Sequence, residues 1–390
     1  MKFTRTIAIT LLLSASLPIA KAQDFSAILN SIEQNSLVLE ASRLEALAAK
    51  QESRLENTLA DPEIGYNFLF GSGDIGNRHD VSISQTFDFP TVYVQRAKLV
   101  KEMKRVADLR FLSERQQLLV KARMLCIEVV YCNAMLHHLN KDLQDTGAMA
   151  EAYERLYQQG EATEIERRKA RQALLLFEAQ FRSFNTMRGN YLDELQCLNG
   201  GQPVEITDSV FVHTPLASNF DQWLSENIGR HPEVMLAEGE CRANRQAVKV
   251  AKNALLPKVK VGYMGEFERD DHYQGLSFGL SLPLWSGAKR VKARKAYLAA
   301  SEMRQRDTMV HLTVQLRSSY GEALECQETY QQFVAHLTDC DNTPMLKKSL
   351  EAGQITLLTY LQERQYVHEM HERMLEAERD LELKKAELMF

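Results

Sequence analysis

Pro257-Lys258-Val259-Lys260-Val261-Gly262-Tyr263-Met264-Gly265-Glu266-Phe267 alternates apolar and polar residues with a period of two. Val259, Val261, Tyr263 and Phe267 fall on one side, and Lys258, Lys260, Gly262 and Glu266 on the other. This is a strand with one apolar and one polar face. A polar loop is expected from Glu268 to Gln274. Leu276, Phe278, Leu280, Leu282 and Leu284 then alternate with Ser277, Gly279, Ser281 and Pro283, completing a hairpin. Each strand has about 9–10 residues, the length a tilted strand needs to cross a bilayer. A half-exposed sheet in a soluble protein alternates in the same way. The choice therefore falls to the rest of the chain.

The same hairpin occurs about 195 residues earlier, opened by Pro62 as the second is opened by Pro257. Ile64, Tyr66, Phe68 and Phe70 alternate with Glu63, Gly65 and Asn67, and a loop follows at Gly71-Ser72-Gly73-Asp74-Ile75-Gly76-Asn77. Val81, Ile83, Phe87 and Phe89 then alternate with Ser82, Ser84, Thr86 and Asp88. Each hairpin leads into a very long helical stretch. From Val92 to about Gln159 there is no Pro and one Gly. Within it, Leu118, Ala122, Leu125, Val129, Cys132, Leu136, Leu139 and Leu143 keep the 4-3 spacing of a coiled-coil seam. At ~1.5 Å per residue this is a rod of roughly 100 Å. The second runs from about Ala288 to Leu350, with Pro344 near its end and a looser pattern through Leu312, Leu316, Tyr320, Leu324, Val334 and Leu337.

Gly160-Glu161-Ala162-Thr163 interrupts the first long helical run, and Gly353-Gln354-Ile355-Thr356 the second. Shorter helices are expected at about 24–58, 165–199, 221–255 and 357–388. Each half thus reads helix, strand, strand, very long helix, Gly turn, helix. The boundaries are a first repeat over 23–200, with its hairpin at 62–90, and a second over 220–390, with its hairpin at 257–284. A linker lies at 201–219, opened by Gly200-Gly201-Gln202-Pro203. A rod of that length cannot bury itself in one compact globule. It must pack on other rods, in the same chain or in other copies.

Residues 1–22 read as a cleavable signal peptide. Lys2 and Arg5 precede the apolar run Ile7 to Leu13, and Ala20-Lys21-Ala22 is a small-x-small cleavage site. No other stretch is long and apolar enough for a transmembrane helix, so a membrane span has to be a β-barrel. Charged residues make up 25% with a net charge of −5 and no basic block, which argues against a nucleic-acid partner. Six cysteines stand at 126, 132, 197, 241, 326 and 340 without a C-x-x-C pair. Cys126 and Cys132 share a helix too far apart to bridge, and small buried thiols are expected.

No G-x-S-x-G, P-loop or paired-Cys site occurs, so the chain reads as no enzyme, with no catalytic, cofactor-binding or metal-ligating residue assigned. His368-Glu369-Met370-His371-Glu372 lacks the second His of H-E-x-x-H. It and His137-His138 read as solvated helix faces.

Together these features resemble the TolC-like outer-membrane factor family, the exit ducts of efflux pumps and type I secretion systems. Leu350-Glu351-Ala352-Gly353-Gln354-Ile355-Thr356, leading to Tyr360-Leu361, resembles that family's periplasmic-tip turn. Tyr157-Gln158-Gln159-Gly160-Glu161-Ala162-Thr163 resembles the same turn in the first copy, and Arg230-His231-Pro232-Glu233-Val234 a helix start common in the second. The resemblance covers essentially the whole chain beyond the signal. It implies a mainly α fold with a small β part. Three chains, each giving four strands, would close a 12-stranded transmembrane β-barrel continued by a long periplasmic α-helical barrel. Four strands are too few to close alone and leave two bare edges, so oligomerisation removes both problems.

On this resemblance Glu63, Asn67, Ser82, Ser84, Asp88, Lys258, Lys260, Glu266, Ser277 and Ser281 line the water-filled lumen, and the apolar faces meet outer-membrane lipid. Pro62, Pro90, Pro257 and Pro283 mark the strand–helix transitions, and loops 71–80 and 268–275 face the exterior. Gly160, Thr163, Gly353 and Thr356 belong to the tips, which gate the channel and meet a periplasmic adaptor and an inner-membrane RND-type pump or ABC exporter. Some family members carry a constricting acidic ring after the second turn; here the matching positions are Thr359 and Gln362. The hairpin Asp61-Pro62-Glu63-Ile64 … Ser84-Gln85-Thr86-Phe87 looks most like the heavy-metal (cobalt–zinc–cadmium type) efflux subgroup. Multidrug or polypeptide export is the alternative. An exported soluble coiled-coil scaffold or pump adaptor is the alternative of another class.

Overall fold

The computed structural model describes residues 25–71, 76–268, 271–340 and 343–389. The signal peptide expected at 1–22, residues 72–75 of the first expected loop and residues 269–270 of the second lie outside them.

The chain runs α1 (Ser26–Asn35), α2 (Leu37–Leu55), β1 (Glu63–Leu69), β2 (Arg78–Phe87), α3 (Pro90–Gln159) and α4 (Glu164–Leu198). After the linker come α5 (Phe220–Asn227), a single 3₁₀ turn, α6 (Pro232–Asn253), β3 (Lys258–Glu268) and β4 (Asp271–Ser281). α7 (Gly287–Cys340), α8 (Thr343–Glu351) and α9 (Leu357–Glu387) close the chain. No helix among the described residues is long and apolar enough to cross a membrane.

Two of the expected shorter helices are broken. Ser36 takes an extended conformation (φ −65°, ψ 116°) and divides the first into α1 and α2. His231, extended at ψ 128°, precedes Pro232, whose ring cannot continue a helix behind it. His231 instead caps α6, accepting from the Glu233 N–H. Trp223 falls in α5, where its ring and that of Phe220 join Leu312 and Leu316 in a small core.

The four strands form one antiparallel sheet in the order β1-β2-β3-β4. The hairpins meet along β2 and β3, from Arg78 opposite Glu268 to Phe87 opposite Val259. This register puts all four strand–helix junctions at one end of the sheet. α3, at 70 residues, leads about 100 Å away from that end. It packs on α2 and α6 near the sheet and on α4 and α9 farther off.

The α3 seam is where the main core forms. Ala122, Val129, Cys132 and Leu139 are fully buried there, with Phe177 and Leu195 of α4. The linker is part of this core: Ile206 and Phe211 are buried, and Asn133 donates to the Ile206 and Asp208 carbonyls at 3.0 and 2.8 Å. In α7, Leu312 and Leu316 are buried but Leu324 is not. Cys126, Cys132 and Cys241 are buried thiols, whereas Cys197 is exposed.

The second hairpin is tighter than its sequence suggests. The polar run Glu268 to Gln274 was expected to be loop, yet β3 and β4 pair up to Glu268 opposite Asp271. Ladder hydrogen bonds hold these outermost rungs although their side chains no longer sort by polarity.

Candidate functional site

The register sorts the sheet's side chains into two faces. One carries Ile64, Tyr66 and Phe68, then Val81, Ile83 and Phe87, then Val259, Val261 and Tyr263, then Leu276, Phe278 and Leu280. Leu276 and Phe278 are 71% and 75% exposed, so this is an apolar surface without a cover. The other face brings together Glu63, Asn67, Ser82, Ser84, Lys258, Lys260, Glu266, Ser277 and Ser281. Asp88 follows β2 and joins this face through ion pairs. Met264 and Tyr273 are apolar members of the polar face that the sequence reading did not place. His79, opposite Phe68, is a polar member of the apolar face, 2.7 Å from the Tyr66 hydroxyl.

The sheet is curved, and its glycines show which way. A Cβ at Gly262 would lie 2.9 Å from the Ser84 Cβ, and one at Gly279 would lie 3.4 Å from the Lys260 Cβ. Directly opposed Cβ atoms normally stand about 4.5–5.5 Å apart. Both glycines lie on the polar face, so that face is concave and the apolar face convex. Charges on the concave side are paired: Lys260 with Glu63 at 2.6 Å, Lys258 with Asp88 at 3.1 Å, Arg96 with Asp88 at 2.9 Å, and Arg78 with Glu266 at 2.6 Å.

The four prolines stand at the junctions. Pro62 directly precedes β1 and Pro257 precedes β3, Pro90 is the first residue of α3, and Pro283 lies between β4 and α7.

At the far end of α3, Gly160 is left-handed (φ 77°), the Glu161 N–H reaches the Leu156 carbonyl at 2.8 Å and the Gly160 N–H reaches Tyr157 at 3.0 Å. Gly353 (φ 68°) repeats this, with the Gln354 N–H on Ser349 at 2.8 Å and its own N–H on Leu350 at 3.0 Å. Both are Schellman-type stops that only Gly adopts cheaply. Thr163 and Thr356 then cap α4 and α9, accepting from the N–H groups of Glu166 and Thr359. The two turns differ in charge. Hydrogen bonds from Arg167 and Arg168 hold the Glu164 carboxyl down at about 2, and Glu166 completes a capping box. The matching position Thr359 bonds Thr356 through hydroxyls, 2.9 Å apart.

The histidines depart from the sequence reading. His137 is exposed, but His368, expected on a solvated face, is 2% exposed. α3 and α9 bring it against His138 and His371, whose rings stack at 4.6 Å. Asp142, one turn beyond His138, accepts from Arg364 at 2.5 Å and lies 2.9 Å from His368 Nδ1. Burial raises the Asp142 carboxyl, but the His368 hydrogen bond and the charges around it offset that and hold it low. Burial, against the pull of Asp142, brings His138 down to about 4. No local pattern announces this cluster, because its halves lie 226 residues apart.

No protein-family model matches the sequence, and no curated protein matches it either. The fold has many counterparts among solved structures. The MtrE outer membrane channel of Neisseria gonorrhoeae, in its open state, is 12% identical, with a TM-score of 0.78 over 93% of this chain and 87% of that one. The outer membrane protein VceC of Vibrio cholerae is 12% identical, with a TM-score of 0.75 over 93% and 94%. The CmeC outer membrane channel of Campylobacter jejuni is 13% identical, with a TM-score of 0.73 over 94% and 84%. The chain therefore has the TolC-like fold of outer-membrane channels, mainly α with a small four-stranded sheet.

Proposed function

We propose that the chain is one subunit of a homotrimeric outer-membrane duct of the TolC-like family, the passive exit of a tripartite efflux system. One observation carries this reading. The four-stranded sheet is apolar on its convex face, polar on its concave face and bare along β1 and β4. Four strands do not close a barrel, and about eight are the smallest number that do in a membrane. Three copies, joined β4 to β1, give twelve strands and no bare edge. The convex face then meets lipid and the concave face lines water. The same closure covers exposed apolar side chains on the outer helices: Leu37 and Leu44 of α2, Leu175 and Leu176 of α4, and Met303, Val310 and Val314 of α7.

Within this duct, residues 23–200 and 220–390 act as two staves, and the first 22 residues direct export. The hairpin loops face the cell exterior. The tips around Gly160, Thr163, Gly353 and Thr356 reach through the periplasm toward a periplasmic adaptor and an inner-membrane RND-type pump or ABC exporter. Transport through such a pore is passive, so the duct works without a catalytic residue. The finer proposal is that the cargo is heavy-metal cations, a reading supported by the resemblance of the first hairpin.

Two experiments test these levels separately. Purified from outer membranes, the chain is expected to run as a trimer and to conduct ions in a planar bilayer. A soluble periplasmic monomer would instead favour the scaffold or adaptor reading. For cargo, deletion should cost survival on zinc, copper or cobalt. Unchanged metal tolerance with lost tolerance of dyes or antibiotics would move the cargo to the multidrug class and leave the duct standing.

A further inference from the structure

We infer that His138, Asp142 and His368 bind a divalent first-row cation, zinc fitting best, and that this ion staples α3 to α9. The site lies within one chain and depends neither on the duct nor on its cargo.

Three donor atoms converge there. His368 Nδ1 is 2.9 Å from Asp142 Oδ2 and 3.2 Å from His138 Nε2, and His138 Nε2 is 3.3 Å from the same Asp142 oxygen. Two such edges could be hydrogen bonds; the third cannot be reconciled with them. Asp142 Oδ2 only accepts. If both rings offer it an N–H, the two nitrogens face each other donor to donor. If either ring is bare, its lone pair faces the carboxylate oxygen. A cation above the triangle makes all three atoms donors to one charge. Tetrahedral zinc with bonds of about 2.0–2.1 Å spaces its ligands about 3.3 Å apart. The observed triangle is a slightly contracted face of that tetrahedron.

The surroundings hold the donors in place. Asp142 spends its other oxygen on Arg364 at 2.5 Å, and Arg364 also lies 3.6 Å from Asp145. That second carboxylate offsets the guanidinium charge, which would otherwise oppose a cation. Phe177 packs edge-on against His368 at 4.9 Å, and His138 and His368 stack at 5.2 Å. His368 Nε2 is buried and has no hydrogen-bond partner among the described residues. Ligating histidines usually donate that second N–H, and lacking its partner costs about 10–100-fold in affinity. The site is thus expected to bind more weakly than one whose two histidines are both anchored. Imidazole with one carboxylate favours zinc, copper(II) or nickel over magnesium.

The test is calorimetric titration of the chelator-stripped, full-length chain with zinc chloride. One ion per chain is expected, with an upward shift of the thermal midpoint of about a few degrees at saturating zinc and none with magnesium. His368→Gln and Asp142→Asn should each weaken binding at least tenfold, and the adjacent, exposed His137→Gln should not. Equal zinc binding by the wild type and His368→Gln would overturn the site. Should those variants fail to fold, cobalt(II) on the wild type decides: intense tetrahedral visible absorption supports the site, and its absence overturns it.

Discussion

Glu378 on α9 illustrates how one side chain records its environment. It is 6% exposed, and His213 of the linker lies 3.0 Å away. Burial raises its carboxyl above the usual 4.5, against the lowering pull of His213 and of the Tyr330 hydrogen bond. A raised folded-state value means that its contribution is fully present below pH 4.5 and is lost as the pH rises through the folded value. Glu378→Gln is therefore expected to raise the thermal midpoint at pH 7, by less than about 2 kcal/mol in stability. That gain should shrink as the pH falls toward 4.5, and a gain independent of pH would show that the carboxyl's ionisation is not its cause. At the first tip, Thr163→Ala removes the capping box and should cost about 1 kcal/mol. Hydrogen exchange over residues 163–168 should rise, with α9 unchanged as the internal control. At this scale the sequence is a good guide to turns and a poor one to His368. Gly and Thr act on their own neighbours, whereas the burial of His368 depends on a helix far away in the chain.

Among the elements, the sheet was the most legible, because period-two alternation survives wherever one face meets an apolar medium. It fails at Arg78 to Asp80 and at Asp271 to Gln274, which pair as strand although polar residues stand on both faces, and at Met264, an apolar side chain on the polar face. The α3 seam was legible for the same reason. The break at Ser36 was not, since the apolar pattern runs on across it, whereas the one at His231 coincides with the helix start read at Arg230-His231-Pro232. The curvature was also hidden: it lies in which rows hold glycine. Gly262→Ala would drive a Cβ to within 2.8 Å of the Ile83 carbonyl oxygen and flatten the sheet there. Such overpacking typically costs about 1–3 kcal/mol. On the proposed closure it should lower the temperature at which the trimer dissociates in detergent. An unchanged dissociation temperature would separate the curvature from assembly.

For the whole molecule, apolar side chains among the described residues are uncovered on the convex sheet face and on α2, α4 and α7. Both fit one threefold assembly. The sequence already implied assembly, since neither half can close a barrel or bury its rods alone, and the family resemblance supplied the number three. What it left open is the cargo, because the proposed passive duct would be shaped by strand count and helix length rather than by a recognition site. The most direct test of the central claim is cysteine crosslinking between β1 and β4 in outer-membrane vesicles. Paired substitutions along the convex faces of the two edge strands should give covalent products that stop at three chains. Monomers alone at every pairing, with the chain recovered in the soluble periplasm, would contradict the trimeric duct.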